Sequence, residues 1–278
     1  MNPLVSVEWL ASHLGDKNVV VLDATLPPVG VKPPVDTRAR YREQHIPGAV
    51  FFDIEELSDH STPLPHMLPT HESFGESMAE LGVSDEATIV VYEQEGVFSA
   101  PRAWWMLRVF GAKDVRVLDG GLRAWTDAEL PLGSGAVQRA RATFTAKLNE
   151  DAIVDLKQIL YFIQNKGQIL DARSAGRFSG QAPEPRSGLS SGHMPGATNL
   201  PFTELAERGR LKNVEVLREI FYSRGIDVGQ RVTTTCGSGV TAAVLALGLE
   251  IAGAKSVGLY DGSWSEYAQV PNAVIEKS

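Results

Sequence analysis

Cysteine is almost missing from this sequence: among 278 residues there is one, Cys236. A single thiol rules out an intramolecular disulfide and any zinc site built from paired cysteines. Positive charge is also short. Lys and Arg number 26 against 34 Asp and Glu, for a formal net charge of -8. That balance argues against nucleic-acid binding, which rests on clustered basic residues. No apolar run reaches the ~18 residues of a membrane span, so no membrane association is expected. The start, Met1 to Leu14, lacks a basic stretch leading into an apolar one and reads as a short amphipathic helix with Trp9, Leu10 and Leu14 on one side. With no export signal visible, a cytoplasmic location is expected. What is present, 43% hydrophobic and 22% charged residues, suits a folded chain whose core needs no disulfide.

The chain repeats itself. Asp23-Ala24 recurs as Asp171-Ala172, and His45-Ile46-Pro47-Gly48-Ala49 as His193-Met194-Pro195-Gly196-Ala197, both offset by 148. Leu81-Gly82-Val83 aligns with Arg224-Gly225-Ile226 at 143, and Gly111-Ala112-Lys113 with Gly253-Ala254-Lys255 at 142. Asp119-Gly120 recurs as Asp261-Gly262, again at 142. Landmarks that keep their order and nearly their spacing mark an internal duplication. The copies span roughly 1–140 and 151–278. Pro131 to Glu150, rich in Gly, Ala and polar residues, reads as the connection, with 141–150 as the linker proper. In the second copy, strand patterns at 168–170, 231–235 and 256–260 alternate with helix patterns at 155–163, 214–223 and 240–251. Such alternation predicts an α/β domain around a mostly parallel central sheet flanked by helices.

Cys236 falls between a strand pattern and a helix pattern, where open α/β sheets gather ligands. The turn reads Cys236-Gly237-Ser238-Gly239-Val240-Thr241. Two glycines let the backbone curl so that amides face inward. A helix start behind them adds partial positive charge. Together these favour a thiolate, the nucleophilic form; the plain alternative is a small buried hydrophobe. The 143 offset sets Glu93 opposite Cys236, so the first copy carries a carboxylate where the second carries a thiol and is expected to be inactive. A Cys-based phosphatase needs Arg six positions after its Cys, and Ala242 stands there. A phosphate-binding Gly-Lys-Ser/Thr loop and a dinucleotide fingerprint are also missing.

With this turn and this repeat, the sequence resembles the tandem rhodanese family, and within it the 3-mercaptopyruvate sulfurtransferases. The resemblance runs through His45–Ala49, Phe51-Phe52-Asp53, Ser58-Asp59, His66-Met67-Leu68-Pro69, Phe98–Arg102 with Trp104-Trp105, Asp171-Ala172-Arg173, Pro183–Arg186, Gly192-His193 and the Cys236–Thr241 loop. It implies two rhodanese-like domains in tandem and sulfur transfer from 3-mercaptopyruvate through a Cys236 persulfide to a thiol acceptor, such as a thioredoxin-like protein, or to cyanide. No metal or organic cofactor is implied. Relatives that prefer thiosulfate, a dianion, place basic residues after the Cys; a donor charged at a remote carboxylate can use a neutral loop with arginines nearby. The resemblance gives that role to Arg177 and Arg186. Gly237, Gly239, Val240 and Thr241 are expected to turn backbone amides toward the donor. Ser238 and His66 would form a relay with an acid, Asp53 or Glu55, which share a face if 51–55 is extended. His45 and His193 occur in both copies and read as structural. Thiosulfate:cyanide transfer and a non-enzymatic persulfide carrier remain the rival functions.

Overall fold

In the computed structural model, which describes residues 2–27, 29–31 and 33–278, the chain forms two compact units. Met1, where the N-terminal helix pattern was read to begin, lies outside the described residues. One unit comprises the N-terminal stretch to Asp59 with Leu68–Asn149 and Arg208–Leu211. The other comprises His60–Met67, Glu150–Glu207 and Lys212–Ser278.

The first unit holds a parallel sheet of β1 (Leu4–Val5), β2 (Val19–Asp23), β3 (Val50–Phe51), β4 (Thr88–Tyr92) and β5 (Asp114–Leu118), in spatial order β1-β5-β4-β2-β3. The second holds β6 (Ile153–Val154), β7 (Gln168–Asp171), β8 (Thr198–Asn199), β9 (Arg231–Thr235) and β10 (Ser256–Tyr260), in the matching order β6-β10-β9-β7-β8. The helices of the first unit are α1 (Val7–His13), α2 (Thr37–Glu43), α3 (His71–Glu80), α4 (Ala100–Val109) and α5 (Gly121–Asp127). Those of the second are α6 (Leu156–Gln164), α7 (Ala175–Ser179), α8 (Val214–Ser223), α9 (Ala242–Ala252) and α10 (Ser263–Tyr267). Central strands covered on both faces read as unbroken runs. β2, Val-Val-Val-Leu-Asp, is buried throughout. In β9 the buried run includes Thr233, Thr234 and Thr235.

The repeated motifs are the joints of this plan. Gly111 and Gly253 end α4 and α9 with φ of 96° and 92°, a left-handed conformation glycine adopts without steric penalty. Behind each, the next amide returns to the helix: Ala112 N donates to Leu107 O and Ala254 N to Leu249 O, both at 2.9 Å. His45 and His193 are alike as well. The ring Nδ1 lies 2.8 Å from Tyr41 O in one and 2.9 Å from Phe178 O in the other. Each ring stacks on the aromatic side chain of the same residue, Tyr41 or Phe178. Both histidines are buried. The stretch read as a linker is not loose up to Asn149. Ala142 N donates to Ala79 O at 3.0 Å, Lys147 N to Phe110 O at 2.9 Å, and Phe144 is buried beside Phe74.

Candidate active site

β9 delivers Cys236 into a turn that ends at α9. The side chain is buried, 2% exposed. The two glycines of the turn serve different needs. Gly239 has φ of 78° and supplies the curl. Gly237 supplies room: a Cβ there would stand 2.9 Å from Arg177 Nη2 and 3.7 Å from Arg186 Nη1. Both guanidinium groups therefore lie over the loop that bears the thiol.

The loop is held from behind by α10. Trp264 N donates to Cys236 O at 2.9 Å, and Ser265 donates to Gly237 O from its amide at 3.0 Å and from its hydroxyl at 2.6 Å. Ser263 Oγ accepts from Cys236 N at 3.2 Å and from Gly239 N at 3.1 Å, and donates to Tyr260 O at 2.8 Å. Gly239 thus departs from the expected pattern. Its amide goes to Ser263 rather than to a donor molecule. The amides of Gly237, Ser238, Val240 and Thr241 take no hydrogen bond among the described residues. Ser263 has φ of 50°, a conformation that costs a side chain about 1–2 kcal/mol.

Ser238 is buried, and its Oγ shares a 2.9 Å hydrogen bond with His66 Nδ1. His66 is itself buried, with φ of 61°, and belongs to the 60–67 segment that clusters with the second unit. The backbone that carries the two acids differs from expectation. The strand stops at Phe51, and a turn follows in which Asp53 O accepts from Leu57 N at 3.0 Å and Asp53 Oδ1 from Glu56 N at 3.2 Å. Asp53 and Glu55 therefore do not share an extended face. Asp53 Oδ2 is held by Arg38 at 2.7 Å, and Glu55 is exposed.

Arg177 is anchored by residues to which the sequence alone assigned no role. Its Nε lies 3.0 Å from Glu184 Oε2, and Glu184 Oε1 receives Arg173 Nη1 at 2.8 Å. Arg173 also grips Asp171, with Nη2 to Oδ2 at 2.6 Å, donates to Gly192 O at 2.8 Å and lies 4.1 Å over the Trp264 ring. Asp171, Arg173, Glu184 and Arg177 form an alternating chain whose inner members are buried. Among the described residues, no three His, Cys, Asp or Glu side chains gather as a metal site would need.

The model of the rhodanese-like domain matches twice, over residues 6–128 and 155–270. The chain belongs to the rhodanese family. The 3-mercaptopyruvate sulfurtransferase of Escherichia coli (strain K12) is 45% identical over 273 residues, covering 98% of this chain and 97% of that one. The thiosulfate sulfurtransferase of Gallus gallus is 41% identical over 272 residues, 95% of this chain and 92% of that one. The crystal structure of SseA from Escherichia coli, a 3-mercaptopyruvate sulfotransferase, superposes with a TM-score of 0.88 at 44% identity, over 96% of this chain and all of that one.

The two rhodanese domains can be compared residue by residue. Leu122 N donates to Glu93 O at 2.9 Å, the counterpart of Trp264 N to Cys236 O. Gly121, φ 58°, stands where the second domain has Ser263. The copy that bears Cys236 keeps a strained serine whose hydroxyl holds two loop amides, where the other copy uses unstrained glycine. The sequence signal was the serine after the second Asp-Gly. Glu93 turns its carboxylate into its own loop, accepting from Phe98 N, and from Ser99 N and Ser99 Oγ at 3.0 Å each. Burial raises this carboxyl from 4.5 to about 7, against those hydrogen bonds. A carboxyl raised on folding stabilises the fold fully below its unfolded value and loses that contribution as pH rises. The protein is therefore expected to lose roughly 3 kcal/mol through this group between pH 4.5 and 7. Denaturant titrations across that window should show a slope in the native protein that Glu93→Gln abolishes. An unchanged slope would assign the titration elsewhere.

No helix among the described residues is long and apolar enough to cross a membrane.

Proposed function

We propose that this protein is a 3-mercaptopyruvate sulfurtransferase whose second domain does the chemistry. The observation that carries the reading is the convergence of Arg177 and Arg186 on Gly237, beside Cys236, in a loop with no charged side chain of its own. The two guanidinium groups bind the carboxylate of the donor. The Cys236 thiolate attacks the donor sulfur. The carbon–sulfur bond breaks with its electron pair passing to carbon, giving pyruvate enolate. Protonation of that carbon releases pyruvate and leaves a Cys236 persulfide. Ser238 and His66, in hydrogen-bond contact, move the proton from the donor thiol toward the enolate carbon. The amides of Gly237, Ser238, Val240 and Thr241 stabilise negative charge on the sulfur. The outer sulfur then passes to an acceptor thiol, on a thioredoxin-like protein, or to cyanide as thiocyanate. The first domain, with Glu93 in the nucleophile position, serves structure rather than chemistry. A nucleophilic thiol that must stay reduced suits the cytoplasm.

The thiosulfate reading is the rival, since a relative of that name is 41% identical. Thiosulfate lacks a carboxylate for the arginine pair and would bring two charges to a neutral loop. At matched ionic strength, kcat/KM for 3-mercaptopyruvate is expected to exceed that for thiosulfate by at least about tenfold. Faster turnover of thiosulfate overturns the donor assignment. One sulfur gained in the intact mass with no transfer to any acceptor would instead make the protein a carrier.

A further inference from the structure

Arg177 reaches the loop with its charge already offset. Its Nε and Nη2 both engage Glu184 Oε2. The Glu184 side chain is only 2% exposed and cannot swing into solvent, because its other oxygen is held by Arg173, which is 0% exposed. Arg173 in turn is neutralised by Asp171. The four groups sum to zero, so the buried chain keeps Arg177 as a directional hydrogen-bond donor while removing one unit of positive charge from the pocket. Arg177 remains 23% exposed, within reach of a ligand. No charged residue lies between Cys236 and Thr241 to restore that unit.

We propose that Glu184 is a specificity-determining residue: its buried negative charge sets the donor site to accept monoanionic sulfur donors and to disfavour dianions. This deepens the proposed function and rests on it in one respect, that donors reach Cys236 past Arg177 and Arg186. A dianion gains twice as much as a monoanion from each added positive charge, so the effect reads out as a ratio between donors rather than a loss of activity.

The test uses the full-length protein and both donors at fixed ionic strength. In Glu184→Gln, which keeps the shape and removes the charge, the ratio of kcat/KM for thiosulfate to that for 3-mercaptopyruvate is expected to rise about tenfold. Glu184→Asp keeps the charge at the cost of geometry. It should depress both donors and leave the ratio within about twofold of the native value. A purely structural role for Glu184 would move both variants alike. A native ratio in Glu184→Gln overturns the proposal. Should the native protein itself prefer thiosulfate, the donor assignment falls, while the change of ratio on substitution still decides the role of Glu184. If Glu184→Gln does not fold, inhibition of the native protein carries the test. Pyruvate, a monoanion, is expected to compete at lower concentration than sulfate, a dianion; equal or tighter binding of sulfate overturns the proposal.

Discussion

Cys236→Ser is expected to lower pyruvate release from 3-mercaptopyruvate by more than about a thousandfold, because the serine hydroxyl cannot accept sulfur. The substitution is nearly isosteric and leaves the loop in place. The contacts that hold position 236 are made by its backbone, Cys236 N to Ser263 Oγ and Trp264 N to Cys236 O. The Ser238–His66 hydrogen bond and the arginine pair are also untouched. The loss therefore reports the missing sulfur atom and not a disordered site. Intact-mass measurement after exposure to donor gives the second readout: one sulfur atom gained by the native protein, none by the variant. A serine variant that still makes pyruvate would end the covalent mechanism, whatever its rate with other donors.

Arg173→Met should cost about 3–5 kcal/mol of stability, the range for breaking a buried ion pair from one side. Methionine replaces much of the volume and can lie against Trp264, but it leaves two buried carboxylates, Asp171 and Glu184, without their shared cation. It also frees the backbone oxygen of Gly192 from its 2.8 Å hydrogen bond. The first domain provides a natural comparison. There Asp23 takes the position of Asp171, Thr25 that of Arg173, and burial pushes the Asp23 carboxyl above its ordinary range. Denaturant unfolding at neutral pH measures the cost. A loss under about 1 kcal/mol would mean that Asp171 and Glu184 find other partners, and the alternating chain would lose its structural role. Where the variant stays folded, a raised KM for 3-mercaptopyruvate is expected, since Glu184 then orients Arg177 less tightly.

How much of this was legible in advance depended on how local each feature is. The strands at 231–235 and 256–260 and the helix at 214–223 appear with the bounds the sequence pattern predicts, since each rests on its own run of β-branched or periodic apolar residues. The duplication was readable for a related reason. Its landmarks are turns and helix ends, where backbone geometry tolerates few residue types. Cys236 stood out because it was alone and sat in a glycine-bearing turn.

What escaped were side-chain contacts that no periodic pattern announces. Asp53 and Glu55 were expected to share an extended face; the Asp53 side chain caps a turn instead and binds Arg38. Gly239 was expected to offer its amide to a ligand, but Ser263, from the start of α10, takes it. Glu184 looked like part of a polar loop until folding buried it between two arginines. By itself the sequence determined the repeated α/β plan, the family and the position of the thiol, because those follow from local backbone preferences and from one residue's scarcity. Only the tertiary structure decided which charges are neutralised around that thiol and which amides stay available, because burial and pairing are set by what packs alongside rather than by local backbone preference.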